Sequence, residues 1–136
     1  MSLQVKSLFS KFDFLQTKFG DQKLKSIYGA GCVKSPKFFL IFMNPTARNV
    51  SANPEWNGIR APWIGTKNIW RLLFESKLLS KDFFGATQSF KPTEWTLQFS
   101  EDLYTHLAKQ QVYITNFAKC TMSDARPLKN GVFQAY

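Results

Sequence analysis

Three side chains give this sequence its chemical character: two asparagines and a tryptophan. Asn44 closes the apolar run Phe38–Met43 and stands directly before Pro45; Asn116 closes a second run, Val112–Thr115; Trp63 lies between Pro62 and Ile64-Gly65. An asparagine amide donates and accepts at once, so it can pair with a carbonyl and an N–H on the same edge of a ligand without carrying charge. A tryptophan face next to it can stack on a planar group. Two amides at strand ends and one large aromatic in a Pro/Gly-punctuated loop describe a site for something flat. Each residue also has a plainer use, Asn44 in a turn before proline, Asn116 as a cap and Trp63 in a core. What favours a site is that they occur together, two at strand ends and one in a loop.

The elements that must position them can be read from periodicity. Phe38–Met43 is short, aromatic and branched, and it stops at Asn44-Pro45. This predicts a strand buried on both faces of a parallel sheet, with Asn44 at the carboxyl end of a central strand. Pro45 cannot donate to a ladder and ends the strand. Val112–Thr115 predicts a second strand, parallel and adjacent to the first, because the long connection between them contains helices. Leu3–Phe19 spaces Leu8, Phe12, Leu15 and Phe19 as one apolar helix face, stopped by Gly20. Gly29–Gly31 predicts a turn, and Asn49–Gly58 a loop. Thr66 is the expected N-cap of a helix carrying Ile69, Trp70, Leu72 and Leu73. Lys81–Pro92, with Gly85 inside it, reads as irregular, and Ser100-Glu101-Asp102 as the start of a further helix with Leu103 and Leu107 buried. His106, the only histidine, falls on another face as a surface or half-buried residue.

At 136 residues the chain is long enough for one domain with a real core, and 44% hydrophobic content places it among globular proteins. Eighteen lysines and arginines against nine acids give a net charge of +9, which favours a polyanionic partner without fixing a fold. No apolar run reaches membrane-spanning length, so no membrane partner is expected. Cys32 and Cys120 do not make a disulfide framework, and the expected location is cytoplasmic.

Three motifs in order resemble the uracil-DNA glycosylase superfamily. Phe42-Met43-Asn44-Pro45 is similar to the first motif of its mismatch-specific and single-strand-selective branches. Pro62-Trp63-Ile64-Gly65 resembles the Pro-Phe-Val-Gly of its iron–sulfur branch. Val112-Tyr113-Ile114-Thr115-Asn116 with Lys119-Cys120 resembles that branch's strand ending in Thr-Asn, followed by Lys-Cys. The resemblance covers about Phe38 to Pro127. It implies an α/β fold, a three-layer α/β/α sandwich around a short, mostly parallel sheet. It implies base excision in DNA repair, hydrolysis of the bond between uracil, or a related damaged base, and deoxyribose after base flipping. Asn44 would hold the attacking water as the catalytic residue. Met43, Pro45, Trp63 and Asn116 would bind the base, Trp63 by stacking and Asn116 by pairing with its edge. Lys67, Lys119, Arg126 and Lys129 are the candidate contacts to the DNA backbone. No metal or cofactor and a monomeric enzyme are expected, since the cysteine pair that the iron–sulfur branch carries near its N-terminus has no counterpart.

The sequence departs from the family pattern in ways that matter chemically. Trp63 replaces the usual phenylalanine, and the loop between Pro45 and Pro62 is longer than in the iron–sulfur branch. Asn44 replaces the aspartate or glutamate of the fastest branches, so no general base is in place. The family's last motif, a histidine followed by proline and serine, has no match before Tyr136. Residues 1–136 are therefore expected to be a single domain, the first two-thirds of a glycosylase-like one. The alternative is a non-catalytic nucleic-acid-binding module on the same scaffold, reading shape through phosphate contacts.

Overall fold

The protein is described here from a computed structural model, which covers residues 2–124 and 128–136. It is a mixed α/β fold, with five helices and a three-stranded sheet among the described residues. After one 3-10 turn comes helix α1 (Phe9–Phe19), then strands β1 (Ala30–Gly31) and β2 (Phe38–Phe42). Helices α2 (Asn68–Glu75), α3 (Lys81–Ser89) and α4 (Leu97–Lys109) follow, then β3 (Val112–Asn116) and the short α5 (Asn130–Gln134).

The order across the sheet is β1-β3-β2, so β3 is the middle strand. β2 runs parallel to it, with Phe38 opposite Val112 and Phe42 opposite Asn116. β1 is antiparallel to β3, with Ala30 opposite Ile114 and Gly31 opposite Tyr113. The expected turn at Gly29–Gly31 is thus a sheet rung. Gly31 sits at φ +118, and a Cβ there would lie 2.2 Å from the Val112 carbonyl oxygen, so only glycine lets the chain come this close.

β2 corrects the expectation of a central strand buried on both faces. Leu40 and Phe42 pack on the core, but Phe39, Ile41 and Met43 are 55%, 58% and 64% exposed. Apolar character told which residues can be buried; it could not tell whether the second face is covered. The covered strand is β3, whose Val112 and Ile114 pack among Leu103, Tyr104 and Leu107 of α4 and Trp70 and Leu73 of α2. Burying a side chain of this size stabilises by roughly 1.5–3 kcal/mol, so this face anchors the sheet.

Four local expectations are revised. Of the α1 stripe only Leu15 is buried; Leu8 is exposed, and the other buried residue of α1 is Gln16. α2 begins at Asn68 with Lys67 in the cap position, because the Thr66 hydroxyl donates instead to the Trp63 carbonyl. Residues 81–89 are helical: the Ser80 side chain accepts from the Phe83 N–H, Gly85 lies on the solvent side, and Phe84 stacks on Phe74 with ring centroids 4.3 Å apart. α4 starts at Leu97, capped by Thr96, whose hydroxyl accepts from the Phe99 N–H at 3.0 Å. Ser100 is already in the first turn, where its hydroxyl donates to the Thr96 carbonyl.

Candidate functional site

Parallel pairing in this register brings both strand ends to one edge of the sheet, and the chain beyond each end is stapled to the other. Phe117 N–H donates to the Phe42 carbonyl at 2.7 Å, and Ala118 N–H to Met43 at 3.0 Å. Met122 N–H then donates to Pro45 at 3.1 Å, and Ala47 N–H back to Met122 at 3.0 Å. A single parallel bridge, Thr46 with Met122, completes the ladder. Asn44 and Asn116 are therefore held relative to each other by main chain, the part of a protein least able to adjust.

A cavity of about 740 Å³ opens at this edge. Its walls include Met43, Asn44, Pro45, Asn116 and Trp63, together with Lys67 at the start of α2. Six of the nine residues singled out from sequence thus meet in one place. Among the others, Lys129 lies away from the cavity as the residue preceding α5. Arg126 lies outside the described residues. Lys119 is not in the described lining; its ammonium donates to the carbonyls of Asn116 and Phe117 and sits 5.3 Å from the Phe12 ring centre. Burial lowers its pKa. Lys119 braces the end of β3, and the reason lies in local geometry: main-chain carbonyls at a strand terminus need donors, and this ammonium supplies them.

The two asparagines differ in their surroundings. Asn116 is 3% exposed, lines the cavity, and its side-chain amide has no hydrogen-bond partner among the described residues. Its amide is free to pair with a hydrogen-bonding ligand in the cavity. Asn44 is half-buried; its Nδ2 donates to the Pro45 carbonyl at 3.1 Å, leaving Oδ1 open to accept.

Trp63 reaches the cavity through a strained turn. Its φ is +65, a left-handed conformation that costs a non-glycine residue about 1–2 kcal/mol. Three contacts hold it. The Thr66 N–H and hydroxyl both donate to the Trp63 carbonyl, at 3.1 and 2.7 Å. Tyr104, fully buried on α4, donates its hydroxyl to the Pro62 carbonyl at 2.6 Å, and burial pushes its pKa well up. Phe42 meets the indole edge-on, with centroids 5.0 Å apart. The indole N–H is buried without a partner. Strain held in place by surrounding structure at a cavity wall is a mark of function.

The 49–52 turn fixes the remaining wall. Asn49 donates from Nδ2 to the Ala61 carbonyl at 2.7 Å, and its Oδ1 accepts from the N–H and hydroxyl of Ser51. Val50 N–H donates to the Ile64 carbonyl at 3.0 Å, tying this turn to the Trp63 loop. Arg48, Thr66 and Asn68 line the cavity and were not foreseen. The available signal was their spacing: Arg48 four residues beyond Asn44, and Thr66 and Asn68 either side of Lys67.

The described lining contains two cations, Arg48 and Lys67, and no carboxylate or histidine. Cys32 and Cys120 are unpaired, Cys120 is buried with its thiol pKa raised by desolvation, and no cluster of three or more metal-ligating side chains occurs among the described residues. His106 is remote from the cavity: its Nε2 accepts the Ser80 N–H at 3.2 Å and its ring stacks on Phe83. No described helix is long and apolar enough to cross a membrane. The arrangement can stack a flat group, pair with its edge, and hold a neutral nucleophile such as water against it. The chain matches no family model, no curated protein and no solved structure.

Proposed function

We propose that this chain is a uracil-DNA glycosylase-type hydrolase, acting in base excision on uracil or a related damaged base in DNA. The observation that supports this reading best is the meeting of Asn44, Asn116 and Trp63 in one cavity at the paired ends of two parallel strands. In this reading the nucleotide leaves the base stack and enters the cavity. The face of Trp63 receives the base, and stacking of this kind contributes about 1–3 kcal/mol per base. Asn116 pairs with the base edge, its unpartnered amide offering both a donor and an acceptor. Asn44 Oδ1 accepts a hydrogen bond from the attacking water and orients it towards the sugar. Negative charge builds on the base as the glycosidic bond breaks, and the Asn116 N–H then acts as an oxyanion-type stabiliser. With no carboxylate in the described lining, water is positioned more than it is deprotonated, which favours bond breaking ahead of attack.

The same reading extends to architecture and partner. The sheet is taken as the middle of a three-layer α/β/α sandwich in a monomeric cytoplasmic enzyme, with DNA drawn in by the +9 charge. Lys67 stands at the cavity mouth as a backbone contact, and Lys129 and Arg126 are further candidates.

The test is single-turnover release of uracil from a labelled oligonucleotide by the chain, alone and within any longer protein that contains it, beside binding to the same strand. Asn116→Asp removes a donor and adds a negative charge beside the departing base; the expected loss is about a hundredfold or more in rate. Asn44→Ala is expected to slow cleavage with binding nearly intact. Trp63→Ala weakens binding, and Trp63→Phe is mild because a π-face remains. Excision unaffected by both asparagine substitutions sinks the assignment and leaves a nucleic-acid-binding module as the better reading.

A further inference from the structure

The cavity mouth carries an arrangement that stacking and edge-pairing of a base leave unused. α2 starts there without a side-chain cap: Lys67 occupies the cap position and makes no capping bond, and no acidic residue lies in the first turn. The hydroxyl of Thr66, the residue before Lys67, is turned to the Trp63 carbonyl. Lys67 and Asn68, the residues that open the helix, line the cavity. A helix start left like this presents main-chain N–H groups and the positive end of the macrodipole. Arg48 lines the same cavity, and its segment is bound to the Trp63 loop by the Val50–Ile64 hydrogen bond. Neither the Arg48 guanidinium nor the Lys67 ammonium makes an ion pair or hydrogen bond among the described residues; the one ion pair there joins Arg60 to Asp13. Asn116, 97% buried and with no side-chain partner among the described residues, lines the same space and offers its amide to a ligand independently of the helix.

We infer that the mouth is a phosphate seat, formed by the opening of α2 with Arg48 and Lys67, so that the cavity prefers a nucleotide to a free base or nucleoside. The base end of this assignment rests on the glycosylase reading; the phosphate end rests on the helix and the two cations. A phosphate group answers each element of the mouth. It accepts main-chain N–H bonds at a helix start, takes a forked pair from an arginine, and neutralises a lysine. No carboxylate in the described lining opposes it.

Isothermal titration of the wild-type chain tests the seat with deoxyuridine, its 5′-monophosphate, its 3′-monophosphate and inorganic phosphate at low salt. One monophosphate is expected to bind at least about tenfold tighter than deoxyuridine, with the gap shrinking as salt is added. Arg48→Gln with Lys67→Gln should close the gap and leave deoxyuridine binding unchanged. Both side chains are exposed and unpaired, so folding should survive, and circular dichroism of the double variant checks this. Asn116→Ala, which removes the amide without adding charge, should weaken deoxyuridine and the monophosphate alike, preserving the gap. Equal binding of nucleoside and both monophosphates, or a gap that survives the double substitution, overturns the seat. A gap that closes as expected in a chain that excises no uracil keeps the seat and removes the glycosylase reading.

Discussion

β2 and β3 end alike in sequence, an apolar run closed by asparagine, yet the two ends are built on different terms. The β3 end is packed on both faces of the strand and open only where Asn116 meets the cavity. Val112 and Ile114 are fully buried, Lys119 caps the terminal carbonyls, and α1 reaches across to hold the following loop. That hold is Gln16, whose Oε1 accepts the Thr121 N–H at 2.7 Å while its Nε2 donates to the Thr121 and Asp21 carbonyls. The β2 end belongs to an edge strand with one face open, and its asparagine keeps a free oxygen towards solvent and cavity. Reading a ligand's edge needs a donor and acceptor fixed to a few tenths of an ångström, and the closed end provides that. Holding a small mobile molecule such as water needs access, and the open end provides it. The contrast supports the division of roles between Asn116 and Asn44 independently of any motif.

The largest expected effect separates the two strands by stability. Ile114→Ala leaves a cavity in a closed core and should cost about 2–5 kcal/mol in chemical denaturation, whereas Ile41→Ala, 58% exposed, should stay within about 1 kcal/mol. Comparable losses at both positions would mean that β2 is covered in solution and the contrast is false. Next comes Gln16→Ala, which strands the buried Thr121 N–H, while the Thr121 and Asp21 carbonyls keep the main-chain N–H groups of Asp21 and Leu24. A loss of about 1–3 kcal/mol is expected, with faster amide exchange at Thr121 than in β2. A third measurement sharpens the asparagine comparison: Asn116→Ala deletes a buried amide with no partner, so stability should be unchanged or slightly higher. A clear loss there would reveal a structural role for that amide.

The smallest effect is in pH. His106 has its pKa lowered, chiefly by burial and further by Lys109, and its neutral Nε2 accepts the Ser80 N–H. The unfolded chain therefore binds the proton more readily than the folded one. The contribution is present in full above the unfolded value near 6.5 and is lost as pH falls through the lowered folded value. Thermal unfolding between pH 7 and pH 5 should show a modest decline that His106→Gln flattens.

The sequence carried much of this, and its failures have physical causes. The parallel pairing of residues 38–42 with 112–116 was legible because a long, helix-containing connection between two apolar runs leaves little other choice. Asn44 and Asn116 were legible because each closes an apolar run, and Trp63 because it sits in a loop punctuated by Pro62 and Gly65. The burial of β2 was not, since hydrophobicity is a property of a residue and coverage is a property of its neighbours. α3 was missed because Gly85 reads as a break, although on an exposed helix face a glycine costs only about 1 kcal/mol. The bonds of Lys119 to the Asn116 and Phe117 carbonyls were not legible, because a lysine's charge is visible in sequence and its main-chain partners are not.

The open flank of β2 has a consequence for how copies of this protein behave towards one another. Parallel pairing directs the main-chain groups of Phe38, Leu40 and Phe42 at β3, and so turns those of Phe39 and Ile41 outwards. Nothing within Phe38–Phe42 discourages a neighbour: the strand contains no proline, no charge and no bulge. What keeps molecules apart is the net +9. That repulsion is long-ranged in dilute buffer and shrinks to about 8 Å at physiological ionic strength. Turbidity at high protein concentration should therefore rise with added salt, the reverse of ordinary salting-in, and a single lysine in place of Ile41 should suppress it.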